Sequence, residues 1–344
     1  MTDTKLFILL FFSFLNSFSQ SINYDHINIE EIRIDSSSIR AIYAQKDSSL
    51  YYTTSKGSIG LVAPSGKIIS EQQIHFDTIS PHFRAIASNG ISTFVLGIES
   101  PALLYKYENE KATLVYQENH SKVFYDAMAF FDTQNGIAMG DPTEGCLSII
   151  TTKDGGNTWQ KIPCTSLPKT EEGEAAFAAS NGNIAIIKQQ AWLVTGGKRA
   201  RVFHTPDMGT TWTVVDTPIT QGGQMTGIYS VDFYDAQHGI IFGGNWGEPK
   251  NNSANKATTK DGGKTWQLIA DGIGPGYKSC VRYVPNTNGK ELVAVGFTGI
   301  SHSNDSGHTW RKVSNDSYYT IRFVNQGFAW LGGNNKIGKL IIHK

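Results

Sequence analysis

Thr259-Lys-Asp261-Gly-Gly263-Lys-Thr265-Trp266 decides the fold, because its pattern, Ser/Thr-x-Asp-x-Gly-x-Thr-Trp, occurs four times in the chain. The other copies are Thr152-Lys-Asp154-Gly-Gly156-Asn-Thr158-Trp159, Thr205-Pro-Asp207-Met-Gly209-Thr-Thr211-Trp212 and Ser303-Asn-Asp305-Ser-Gly307-His-Thr309-Trp310. Each copy lies between two short apolar or Thr-rich runs, as Ser148-Ile-Ile-Thr-Thr152 and Gln160-Lys-Ile162 flank the copy at Asp154. That is a β-hairpin with the motif at its tip. The Asp can accept hydrogen bonds from backbone N–H groups two residues on and fix the turn. The Gly can take a positive φ that would strain other residues. The Trp opens the returning strand and offers a large apolar face to pack between neighbouring hairpins.

Working outward, a repeat search gives seven units rather than four. Each opens with a short strand: Arg40-Ala-Ile-Tyr43, Arg84-Ala-Ile-Ala87, Asp126-Ala-Met-Ala-Phe130, Glu174-Ala-Ala-Phe177, Ser230-Val-Asp-Phe233, Ser279-Cys-Val-Arg-Tyr283 and Thr320-Ile-Arg-Phe323. Most units continue with a strand ending in Gly, such as Phe94-Val-Leu-Gly97 or Val293-Ala-Val-Gly296. A third strand leads to the Asp turn and a fourth leaves it. The first two units lack the motif and carry Pro64-Ser-Gly66 and Glu108-Asn-Glu110 at the equivalent turns. Seven units of four strands describe an all-β, seven-bladed β-propeller. The last unit has room for only three strands, ending with Lys336-Ile-Gly-Lys-Leu-Ile-Ile342. The alternating segment His26-Ile-Asn-Ile-Glu-Glu-Ile-Arg-Ile34 supplies the missing one, so an N-terminal strand closes the ring and leaves no open edge. A six-bladed ring that merges the first two units is the rival count.

The chain has 344 residues, with 30 basic and 30 acidic side chains. This balance, without a basic run, argues against a nucleic-acid partner, which requires concentrated Lys and Arg. Lys5 followed by the ten-residue apolar run Leu6–Leu15, then Ser17-Phe18-Ser19, reads as an export signal cleaved before Gln20. The expected organisation is therefore residues 1–19 as signal peptide and 20–344 as one propeller domain, exported to the periplasm or beyond. No later run approaches the length of a membrane span. Cys146 and Cys164 flank the hairpin at Asp154 almost symmetrically. They could form a disulfide across the antiparallel pair, although two buried thiols are the favoured reading. Cys280 sits in an apolar stretch and reads as core. The scattered histidines show no paired spacing, so no metal and no cofactor are expected.

In a propeller the fourth-to-first and second-to-third connections share one face, here called upper, and the Asp turns lie on the other. Residues at the start of each first strand ring the central channel: Arg40, Arg84, Asp126, Glu174, Tyr229, Lys278 and Tyr319. The second-to-third loops add Asp141-Pro-Thr-Glu144, Gly196-Gly-Lys-Arg-Ala-Arg201 and the long Asn245–Asn255 segment with Trp246. These residues make a polar funnel of mixed sign that could hold a peptide carboxylate through charge-assisted hydrogen bonds. The bland alternative is that the charges pair with one another in a wet channel.

The four-fold motif resembles the Asp-box of the sialidase-type (BNR) repeat families, which are β-propellers. The resemblance implies that Asp154, Asp207, Asp261 and Asp305, with Trp159, Trp212, Trp266 and Trp310, are structural and lie away from any active site. A sialidase-like glycosidase would need an arginine clamp, a Tyr activated by a Glu, and an Asp acid/base. By residue type Arg40, Arg84, Arg322, Tyr319, Glu174 and Asp126 could supply these. The Arg-Ile-Pro motif of that family is missing, however, and Arg84-Ala-Ile stands in its place. The cadence Phe-x-Asp-x-x-x-Gly, as in Phe130-Phe-Asp-Thr-Gln-Asn-Gly136, is similar to the photosystem II stability/assembly-factor family of BNR-like propellers. That resemblance covers roughly residues 30–344. It implies a non-catalytic, exported propeller that binds a protein or peptide client through an arginine-lined face. A monomer is expected, and a glycan is the alternative ligand on the sialidase-like reading. Nothing in the sequence points to a photosynthetic host, so the client need not be a photosystem subunit.

Overall fold

The computed structural model describes residues 27–342. The expected signal peptide, residues 1–19, lies outside them, as does His26 at the head of the closing strand. The chain folds into seven antiparallel sheets arranged as the blades of one ring. Blade 1 is built from Ile42–Ala44, Leu50–Thr53, Ser58–Val62 and Ile68–Gln73, and blade 2 is a separate sheet starting at Phe83–Ser88. The two units without the Asp motif therefore remain distinct blades, and the count is seven. In blade 7, Thr320–Asn325 pairs with the first half of the long strand Phe328–Ile342. The second half pairs with the N-terminal strand Ile27–Ser38, in the register Ile29 with Leu340 and Ile32 with Ile337. Ring closure joins the two ends of the chain, and the isoleucines of both strands enter the apolar layers beside blades 6 and 1.

The turn motif repeats one hydrogen-bond set. At Asp261, the Gly263 amide donates to Thr259 Oγ1 at 2.9 Å, and Thr259 Oγ1 donates to Asp261 Oδ1 at 2.7 Å. The Thr265 amide and hydroxyl donate to Oδ1 and Oδ2 at 3.0 and 2.6 Å. The same set forms at Asp154, Asp207 and Asp305. In all four turns the carboxylate caps the amide four residues on, because the preceding Ser or Thr hydroxyl already holds Oδ1 towards that end of the turn. The tryptophans wedge between blades: Trp159 meets Phe94 and Phe130 at ring distances of 6.2 and 5.7 Å, and Trp310 meets Phe242 at 5.5 Å. Gly156 has φ +86°, and a Cβ there would lie 2.3 Å from the Phe94 ring, so only glycine admits this contact. The glycine ending the second strand has a different reason. A Cβ on Gly243 would lie 1.9 Å from the Gly227 carbonyl oxygen, where the innermost strand crosses tightly behind it.

Two expectations are corrected. Cys146 and Cys164 form a disulfide, their Cα atoms 5.6 Å apart, rather than two thiols. It staples the upper ends of the outer hairpin of blade 3. Glu174–Phe177 is not the first strand of the fourth unit. Glu174–Ala175 pairs with Gly196–Gly197, which joins Gly227 and extends the sheet of blade 5. The innermost strand of blade 4 is Ile184–Ile187. The intervening residues are absorbed by the channel.

Candidate binding face at the channel mouth

The segment Phe177–Asn183 runs into the central channel and plugs it. Ala178, Ala179, Ser180, Asn181 and Asn183 are all buried. The plug is tied to each of the other six blades. Arg40 Nη1 of blade 1 donates to the Ala179 carbonyl and Arg84 Nη1 of blade 2 to that of Ala178, both at 3.2 Å. Asn181 Nδ2 donates to the Ile86 carbonyl at 2.8 Å, and its Oδ1 accepts from the Met128 amide of blade 3 at 2.9 Å. The Val231 amide of blade 5 donates to the Gly182 carbonyl, and Ser180 Oγ donates to the Ser279 carbonyl of blade 6. From blade 7, Thr320 Oγ1 reaches the Ser180 carbonyl and Arg322 Nη2 that of Asn181. Asn181 sits at φ +52°, a region Asn tolerates better than most residues because its short polar side chain can bond locally. Below the plug is a cavity of about 310 Å3 bordered by Arg282 and Arg322. The channel is thus closed, and the mixed-sign wet funnel is replaced by a floor of main chain with arginines standing on it.

The anticipated ring of residues separates into three fates. Arg40 and Arg84 remain together at the mouth, both half-buried. Arg40 lies over the Tyr319 ring, 3.9 Å from its centroid, and its Nε has no hydrogen-bond partner. Arg84 Nε donates to His82 Nε2 at 3.1 Å, which requires a neutral imidazole. Burial, then the two arginines, hold the His82 pKa down at about 4, so it is neutral at ordinary pH. Burial and the neighbouring Arg40 charge lower Arg84 to about 10, with Asp126 and Glu99 partly offsetting them. Neither arginine makes an ion pair among the described residues.

Asp126 is fully buried with neither carboxylate oxygen hydrogen-bonded. Burial, then the neighbouring Asp141, push its pKa well above the ordinary range, against the pull of the Arg84 charge. Burial raises Asp141 itself to about 6, although its Oδ1 accepts from the Ala176 amide at 2.7 Å.

Glu174 and Lys278 leave the channel altogether. Glu174 is clamped by Arg201, with Nε and Nη2 at 3.1 and 2.5 Å, and by Thr195 Oγ1 at 2.6 Å. It needs no ligand, and it lies apart from Tyr319, whose ring is covered by Arg40. The Tyr–Glu pair of a glycosidase nucleophile is therefore not assembled. Lys278 is buried and donates to the Gly299 carbonyl at 2.6 Å. Tyr229 is buried beneath Phe177, the two rings stacked 4.0 Å apart and 4° from parallel. It begins a row of aromatic contacts: Tyr229 to Tyr277 at 4.7 Å, Tyr277 to Phe297 at 5.2 Å and Phe297 to Trp246 at 6.1 Å. Trp246 ends the row, 50% exposed.

Sequence reasoning missed the plug, His82 and the middle of the aromatic row, and it named Asp141 only as part of a loop. The signal for the plug is Ser180-Asn-Gly-Asn183, a turn-forming run inside a repeat unit of unusually wide spacing.

No family model and no curated protein matches the chain. Among solved structures it is similar to YCF48 bound to D1 peptide, with TM-score 0.65 and 12% identity over 92% of this chain and 97% of that one. It is also similar to YCF48 from Cyanidioschyzon merolae, with TM-score 0.62 and 14% identity over 92% and 98%. The WD40 repeats of RRP9 match comparably, with TM-score 0.64 and 13% identity over 92% and 97%. At these identities the likeness establishes the propeller fold.

Proposed function

We propose that this protein is an exported, non-enzymatic propeller that binds an extended peptide or protein segment across its upper face. The observation carrying this reading is the Arg40–Arg84 pair: two adjacent guanidiniums on a closed floor, open to solvent and without a carboxylate partner. Like charges held together at a half-buried site are relieved by an incoming anion, and a carboxylate can be held bidentately by the free guanidinium edges. Trp246 offers the second anchor, a rigid apolar surface of the kind that dominates binding energy at interfaces. The plug favours a ligand lying across the mouth over one threading the ring. One of the similar propellers was solved with a peptide bound, which is in keeping with this use of the fold.

Selection of random peptides on the immobilised protein tests the reading. Enriched peptides should carry an acidic group together with an apolar residue. Arg40→Gln and Trp246→Ala, both changes at accessible positions, should each weaken them roughly tenfold or more. Failure to enrich any peptide, or equal retention by both variants, would refute it. Export is checked separately by fractionating the native host and sequencing the mature N-terminus, which should begin at Gln20.

A further inference from the structure

A second cationic site lies away from the arginine pair, in a cleft of about 500 Å3 between the upper loops of blade 5 and the face of blade 6. Its walls are mostly apolar, with Pro249, Pro275 and Trp310 beside the uncharged polar Asn252, Thr298 and Ser301. Its charged groups are Lys250, Lys278 and Lys312, and no carboxylate lines it. Lys278 forms the floor, 1% exposed, while Lys250 and Lys312 stand exposed at the rim. Lys278 and Lys312 converge on one hairpin. Lys278 Nζ donates to the Gly299 carbonyl at 2.6 Å, and a Cβ on Gly299 would come within 2.8 Å of Lys312 Cε. That bond uses one of the three N–H donors of the floor ammonium. None of the three lysines makes an ion pair among the described residues.

Buried ammonium groups are ordinarily paired, because an isolated charge taken from water is costly. Here burial, then the Lys312 charge, bring the Lys278 pKa down to about 7, with no acidic group near enough to offset them. An apolar cleft with cations at its floor and rim and no counter-ion has the character of a site completed by an amphipathic anion.

We infer that this cleft binds an organic carboxylate with an apolar body, its carboxylate between Lys278 and Lys312 and its body against Trp310 and the two prolines. The carboxylate could belong to a free acid or to the C-terminus of a peptide.

Titration calorimetry on the full exported protein tests this with three probes: phenylacetate, a short peptide ending in Phe with a free carboxylate, and the same peptide amidated. The free acid or the free-ended peptide should bind, and the amidated peptide should not. Binding of phenylacetate alone assigns the site to small acids, and stronger binding of the free-ended peptide assigns it to chain termini. Repeating the titration near pH 7 in buffers of different ionisation enthalpy should show proton uptake, because the anion raises the affinity of Lys278 for its proton. Lys278→Met should abolish that uptake and weaken binding roughly ten- to a hundredfold. Lys312→Gln, at an exposed position safe for folding, should weaken binding several-fold. The titrations are repeated in the Arg40→Gln background, which silences the proposed peptide face, so that binding which persists there and is lost in Lys278→Met belongs to the cleft. No binding by any probe, equal binding of free and amidated peptides, or unchanged affinity in both lysine variants would overturn the inference.

Discussion

Asn181→Ala should be among the most damaging single changes in the chain, although the side chain lies in polar rather than apolar surroundings. Its amide bridges blades 2 and 3 from within the channel, bonding the Ile86 carbonyl and the Met128 amide at 2.8 and 2.9 Å. Removing it leaves two buried backbone groups unpaired, each costing about 1–3 kcal/mol. Alanine at φ +52° adds about 1–2 kcal/mol of backbone strain. The expected loss is therefore about 3–8 kcal/mol. Asn181→Gly removes the same bonds and relieves the strain, so it should be less damaging than alanine by about 1–2 kcal/mol. Urea unfolding followed by tryptophan fluorescence and by far-UV circular dichroism measures both. A loss below about 1 kcal/mol for alanine would mean that water satisfies these groups and that the plug does not tie the ring together. Alanine and glycine of equal stability would refute the strain component alone.

Three further outcomes follow from the turns, the staple and the buried acids. At Asp261, burial raises the pKa but the bonds from Thr265 and Thr259 outweigh it, so the net value falls to about 2. A depressed folded-state pKa gives stability that is full above the unfolded value of about 4 and is lost as pH falls through about 2. Asp261→Asn should flatten acid unfolding within that window, and a curve parallel to the native one would contradict the assignment. Asp141 has the opposite sign: its folded pKa of about 6 exceeds the unfolded value, so its contribution is present below about pH 4 and lost as pH rises to 6. Asp141→Asn keeps an acceptor for the Ala176 amide and should raise the melting temperature at pH 7 but not at pH 4. Replacing Cys146 and Cys164 by Ser opens a loop spanning 18 residues in sequence. It should cost roughly 3 kcal/mol in denaturant unfolding, and no change would mean the staple is dispensable.

The four Asp turns determined the fold class by themselves, because each local hydrogen-bond set is complete within eight residues and forces a hairpin wherever it occurs. Period-two strands between them then set the number of blades, though not the inner strand of the fourth, and the shortfall after Thr320 set how the ring closes. All of this is short-range chemistry written along the chain. The candidate site was legible only in part. Arg40, Arg84 and Trp246 stand where their blade positions put them, since those positions follow from strand order. Glu174 and Lys278 do not, because each finds its partner, Arg201 and the Gly299 carbonyl, through folds of the chain that no spacing announces. Cys146 and Cys164 lay at a bonding register in the sequence, but their oxidation depended on how closely the hairpin ends approach. The plug depended most on tertiary structure. Ser180-Asn-Gly-Asn183 reads as a surface turn, and it becomes the hub of the ring only because six other blades present donors and acceptors to it at once. A closed channel leaves the candidate site at the mouth on the upper face, where the blade positions put it, and removes any path through the bore. That closure was decided by contacts between residues some hundred positions apart in sequence, such as Arg40 with Ala179, for which |i−j| is 139.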